Sequence, residues 1–211
     1  MKTFANAFIT IILISIIYIY LESRTYEVTF VKSKINGKSY LVRNLPDKQQ
    51  TADLLAKISL KLEELVEHIE KTSTKVLFEK YAKDDIDTTK DKLDDDLNRL
   101  VDNFNPDNFS ESTPDAKYTS YSVNKGEKIV FCMRSKDEDE TIVKENTMLF
   151  VAIHELGHLM TKSVGHNPEF WDNFKFLLKV ATDIGVYKHT DFNKNPVKYC
   201  GTRITDTPYK K

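Results

Sequence analysis

Residues 154–158 read His-Glu-Leu-Gly-His, and His166 follows eight positions later. On an α-helix the two outer histidines lie at i and i+4, about one turn apart on one face, so both imidazoles can reach a single divalent ion. Glu155 is then held beside that ion, where its carboxylate can take a proton from the water that such an ion acidifies. His166 is the candidate third ligand. Three ligands leave one coordination position open, which separates a catalytic zinc site from a closed structural one. Three of the five histidines of the chain fall within these thirteen residues. The chemistry implied is metal-assisted hydrolysis of a peptide bond, with one Zn2+ ion held by His154, His158 and His166. Glu155 acts as general base and returns the proton to the leaving amine. A further donor must face the oxyanion. Tyr187, His189 and Tyr199 are the candidates, although aromatic packing accounts equally well for the tyrosines.

These residues need rigid elements to position them. The spacing predicts a helix over 143–162, with His154 and His158 within about 40° of each other when each residue advances about 100°. Leu149, Ala152, Leu156, Leu159 and Met160 fall on the opposite side and would rest on a core, while Phe150 and Val151 flank the histidine face. Gly165 suits the reversal after this helix. Asn167 then reads as an N-cap and Pro168 as the first residue of a second helix. Phe170, Phe174, Leu177, Ala181 and Ile184 form the apolar stripe of that helix, and Gly185 stops it. His166 thus sits on a turn braced from both sides.

HELGH, a turn carrying a histidine, and His166-Asn-Pro-Glu-Phe170-Trp171 together resemble the WLM and SprT-like minimal zinc metalloproteases. The likeness is greater to WLM-type proteins of large DNA viruses, over residues 44–48, 119–134 and 195–206, and covers most of the chain after residue 25. The resemblance implies a zincin-like core, His154, His158 and His166 as zinc ligands, and Glu155 as general base. One departure is evident. Seven residues separate the second and third histidines, where better-known members have five, so a longer turn must deliver His166. Some family members cut proteins crosslinked to DNA. Here the net charge of −1, the pI near 6.5 and the lack of a basic tract argue against a nucleic-acid partner.

At 211 residues, one globular domain with an appendage is expected. Residues 3–21 carry no charge, and 4–21 are almost wholly Ile, Leu, Phe, Tyr and Ala, close to the ~20 residues that cross a bilayer. A cleavable signal peptide is the rival. The run exceeds a usual h-region, and Tyr18, Tyr20 and Leu21 stand where small residues would mark a cleavage site. The expectation is therefore an N-terminal transmembrane anchor over 1–24 and a single-pass membrane protein, with residues 4–21 in the lipid bilayer. A zincin-like domain would span 25–211, with a hairpin and helical part at 25–117 and a metal-binding core at 118–211. Lys2 on one side and Arg24, Lys32, Lys34 and Lys38 on the other lean toward a cytoplasmic domain without deciding it. Cys132 and Cys200 can pair in an oxidising compartment or remain buried thiols.

The predicted fold is α+β, with an active-site helix, a small antiparallel sheet or hairpins, and packed helices. Residues 26–33 and 38–43 read as strands around Asn36-Gly37. A helix follows from Pro46 to about residue 70, with Leu55, Ile58, Leu62, Leu65 and Ile69 on one stripe. Residues 83–102 read as a surface helix and 105–117 as a loop. A second hairpin, 119–123 and 128–134, turns at Asn124-Lys125-Gly126. By analogy with zincins, Ile129, Val130, Phe131, Cys132 and Met133 are expected to be an edge strand that pairs with substrate. The leading function is a membrane-anchored zinc metallopeptidase acting on protein or peptide substrates. The alternatives are a catalytically silent, zinc-stabilised, membrane-tethered interaction protein and a tethered scaffold using the helix at 47–70.

Overall fold

The computed structural model describes residues 2–23, 27–136 and 139–210. Both expected hairpins form, and they become the two margins of one five-stranded sheet. Strands β1 (Val28–Lys32) and β2 (Ser39–Arg43) pair antiparallel in the register Thr29↔Val42. Helix α2 (Lys48–Lys71) buries the expected stripe of Leu55, Ile58, Leu62, Leu65 and Ile69. A short helix α3 (Thr74–Leu77) runs into a π-helical turn at Phe78–Ala82. Helix α4 (Lys90–Asn103) then starts at Thr89, whose side chain accepts the Lys92 N–H, and buries Leu93, Leu97 and Leu100.

The chain returns as β3 (Phe109–Glu111), lying parallel to β2. The second hairpin follows as β4 (Tyr121–Val123) and β5 (Lys128–Phe131), paired antiparallel. The sheet order is β1-β2-β3-β5-β4, so the sheet is mixed rather than antiparallel. The reason is the helical crossover between β2 and β3, which brings the chain back in the same direction. Helix α5 (Glu145–Met160) packs against α2, α4 and β4, and against α6 (Pro168–Asp183). A small hairpin, β6 (Val197–Tyr199) with β7 (Thr202–Ile204), ends the fold. A Cys132–Cys200 disulfide ties that hairpin to the segment just beyond β5, closing the question the sequence left open.

Three expectations are corrected. Strand β3 falls inside the segment read as a loop. It is three residues long, and two of them are polar yet buried. Glu111 accepts from the Arg43 backbone N–H at 2.6 Å and from Arg134 Nε at 2.8 Å. Arg134 is itself buried and reaches Asp47 and Thr51 on the α2 side. A charged, mutually satisfied pairing stands where an apolar pattern would have announced a strand.

Second, β5 is not an edge. It is hydrogen-bonded on one side to β3 and on the other to β4. Ile129, Val130, Phe131, Cys132 and Met133 are all buried, so none offers a free backbone to a substrate. The edge is β4.

Third, the transmembrane anchor and the membrane location drawn from it are not upheld. Helix α1 (Lys2–Ser23) forms. Among the described residues, however, no helix is long and apolar enough to cross a membrane. Arg24 and Tyr26 lie outside the described residues, as do the side chains of 4–8 and 21.

Candidate metal centre

Helix α5 carries its apolar side as expected. Leu149, Ala152, Leu156, Leu159 and Met160 are buried, and His154 and His158 share the remaining face. The helix stops after Met160, where Thr161 turns extended and its hydroxyl donates to the Gly157 carbonyl at 2.7 Å. Gly165 takes φ +90°, a region that side chains rarely adopt, and so lets the chain reverse into His166. Asn167 then caps α6 by accepting the Phe170 N–H at 3.1 Å, with Pro168 in the first turn. The Trp171 indole N–H donates to the His166 carbonyl at 3.1 Å, so the turn is pinned from the helix that follows it.

The seven-residue turn does deliver His166. Its ring lies 4.9 Å from those of His154 and His158, which are 5.0 Å apart, making a nearly equilateral triangle. One ligating atom from each lies within 4.8 Å of the others. His166 Nε2 stands 3.0 Å from His154 Nε2. Two tetrahedral ligands, each about 2.05 Å from one zinc ion, must be about 3.3 Å apart, so the donor set suits such an ion.

Phe170 sets the angles of the triangle. It stacks on His158 at 4.3 Å and meets His154 and His166 edge-on at 4.8 and 4.7 Å. Gly157 makes this possible, because a Cβ there would sit 3.1 Å from the Phe170 ring. The glycine of HELGH is thus the gap through which α6 approaches the histidines.

The electrostatics favour a cation. Burial, reinforced by neighbouring imidazoles, pushes His154 down to about 3 and His158 down to about 4, so both rings are neutral with lone pairs available. Glu155 is buried, and its Oε2 has no hydrogen-bond partner among the described residues. Burial alone pushes its carboxyl up to about 8, in the range where a group can accept and return a proton near neutrality. An orphaned carboxyl oxygen beside three convergent imidazoles fits a bound cation and its water.

The site opens into a cleft of about 1110 Å3, walled by Phe150, Val151, Trp171 and Phe174 and by Tyr118–Ser122 on the strand side. Of the oxyanion candidates, only Tyr199 lines it. Tyr187 is buried against Phe150 at 6.2 Å, and His189 Nε2 is bonded to the Tyr209 carbonyl at 2.9 Å. None of Ile129, Val130, Phe131, Cys132 and Met133 lines the cleft.

Two residues that sequence reasoning passed over now matter. Ser120 lies opposite Tyr199, with no sequence signal to mark it. Lys125, visible only as a turn residue, donates to the carbonyls of Thr161, Lys162 and Ser163 and so clasps the turn between His158 and His166.

A sequence model of the WLM domain matches residues 101–210, which contain every residue of the centre. Over 95% of its length the chain is 32% identical to uncharacterized protein R325 of Acanthamoeba polyphaga mimivirus, covering 94% of that protein. Over 38% of its length it is 35% identical to uncharacterized protein 136R of Invertebrate iridescent virus 6, covering 44% of that one. No solved structure matches.

Proposed function

The chain belongs to the WLM domain family, and on that premise we propose that it is a zinc-dependent metallopeptidase acting on protein or peptide substrates. The observation that carries this reading is the convergence of the His154, His158 and His166 imidazoles beside Glu155, which is buried and whose Oε2 has no hydrogen-bond partner among the described residues. His154, His158 and His166 would hold one zinc ion. When bound, that ion supplies Lewis acidity toward a carbonyl oxygen and toward water.

The remaining work falls to the residues of the chain. Glu155 Oε2 takes the proton of the attacking water and later gives it to the leaving amine. Its burial raises the carboxyl above the usual carboxylate range, which strengthens it as a base. The walls formed by Phe150, Val151, Phe174 and Trp171 exclude bulk water from the exchange. The outer edge of β4 has no strand neighbour among the described residues, and Tyr121 and Ser122 line the cleft, so an extended substrate can add there as a further strand. Apart from histidine, Lys125 is the one cation among the described lining residues, and its ammonium is engaged by carbonyls. That supports a polypeptide rather than a nucleic-acid substrate.

The silent zinc-stabilised alternative has no observation in its favour, because the glutamate it would lack is present. The test is Glu155→Gln. This variant should retain zinc and lose chelator-sensitive cleavage of an unstructured protein such as casein. Undiminished cleavage by the variant would remove the mechanism.

A further inference from the structure

Tyr199 ends β6 with its side chain almost wholly buried, yet it forms part of the cleft wall that also contains Glu155. Its hydroxyl is 2.6 Å from Ser120 Oγ. Ser120 Oγ in turn accepts the backbone N–H of Cys132 at 3.2 Å. A serine hydroxyl has one proton and two lone pairs. With one lone pair taken by Cys132, Ser120 can donate its own proton to Tyr199, which leaves the phenolic proton free for a partner in the cleft. Burial and the nearby Glu155 carboxylate push the phenol well above its usual range, so it keeps that proton.

The segments that carry this pair are also linked covalently. Cys132, which supplies the N–H to Ser120, is bonded through sulfur to Cys200, the residue next to Tyr199. Cys200 takes φ +49° and Gly201 φ +78°, so the chain turns sharply just after Tyr199 into β7. The Cys132 backbone, the Ser120 hydroxyl, the Tyr199 hydroxyl and the disulfide therefore close one ring.

We propose that Tyr199 is the catalytic hydrogen-bond donor to the oxygen of the scissile carbonyl, with Ser120 and the Cys132–Cys200 disulfide as its positioning elements. This rests on the peptidase reading given above. As Glu155 removes a proton from water, the water oxygen bonds to the carbonyl carbon and the C=O π pair moves onto oxygen. Tyr199 donates a hydrogen bond to that developing negative charge without transferring its proton. The pair returns when the C–N bond breaks, and Glu155 passes its proton to the departing amine. No other co-reactant is needed.

The experiment uses the full zinc-loaded chain and Tyr199→Phe, which keeps the ring and its packing. Removing one preorganised oxyanion donor lowers kcat by ~10²- to 10³-fold. We expect that loss with KM within about threefold, and a matching rise in the inhibition constant of a phosphinic peptide, whose tetrahedral centre mimics the oxyanion. Zinc affinity, measured by chelator competition, and Tm should stay at wild-type values. Ser120→Ala should lower kcat by about tenfold with KM kept, and Ser120→Thr should restore it. A Tyr199→Phe enzyme within threefold of wild-type kcat, or one that loses zinc in step with kcat, overturns the assignment. If Glu155→Gln is dead while Tyr199→Phe is active, only this inference falls. A wild-type chain with neither chelator-sensitive cleavage nor phosphinic-peptide binding removes the peptidase reading as well.

Discussion

Gly157→Ala sets two local effects against each other, and the structure decides the sign. In the interior of an exposed helix, alanine is favoured over glycine by about 1 kcal/mol. Here the new methyl would stand 3.1 Å from Phe170 Cε2 and 3.4 Å from Phe174 Cβ. Phe170 is fully buried and cannot retreat, because its ring is hemmed in by the three histidines and by Trp171 at 5.2 Å. Overpacking of this kind costs about 1–3 kcal/mol, which outweighs the helix gain and leaves a net loss of about 1 kcal/mol. For a chain of this size that lowers Tm by roughly 3 °C. The larger effect falls on the metal. A displaced Phe170 rotates the His158 ring stacked on it, and disturbing the support of a ligand weakens metal affinity by about 10- to 100-fold. Chelator competition reads the affinity, and a thermal melt of the apo-protein reads the stability. An apo-protein stabilised by about 1 kcal/mol with unchanged zinc affinity would refute the reasoning. Phe170 would then be free to yield and would not orient the imidazoles.

Two further outcomes are expected. Replacing both cysteines, as Cys132→Ala with Cys200→Ala, removes a crosslink across a sequence separation of 68, which in the chain-entropy picture stabilises by about 4 kcal/mol. The double variant should melt roughly 10 °C below wild type, and a fall of less than 2 °C would show that the bridge constrains little. Lys125→Met leaves the carbonyls of Thr161, Lys162 and Ser163 without their ammonium partner. It should cost about 2 kcal/mol in a urea melt and weaken zinc binding by loosening the turn that carries His166. Wild-type zinc affinity in that variant would mean that the turn holds itself.

The candidate metal centre was legible because its parts are local. HELGH and the Gly165–Pro168 reversal are set by spacing, capping and glycine conformation within about fifteen residues, and both helices formed around them as expected. The parts that depend on distant pairing were not. Strand β3 is held by Arg134 and by the backbone of Arg43, both far away in sequence, so no periodicity announced it. Without β3, β5 reads as an edge, whereas the outer strand on that side of the sheet is β4. Ser120 gains its meaning only when β6 folds back beside β4. The N-terminal apolar run misled for a different reason. Composition alone suggested a span, whereas no helix among the described residues has the length and apolarity to make one.

The most direct test of the account is a crystal structure of the zinc-loaded chain with anomalous diffraction recorded on either side of the zinc absorption edge. One peak per chain is expected, about 2.0–2.1 Å from a ring nitrogen of each of His154, His158 and His166, with Glu155 beside it and outside the bonding shell. A peak held by His154 and His158 alone, with the His166 ring turned away, or no peak between the three rings, would contradict it.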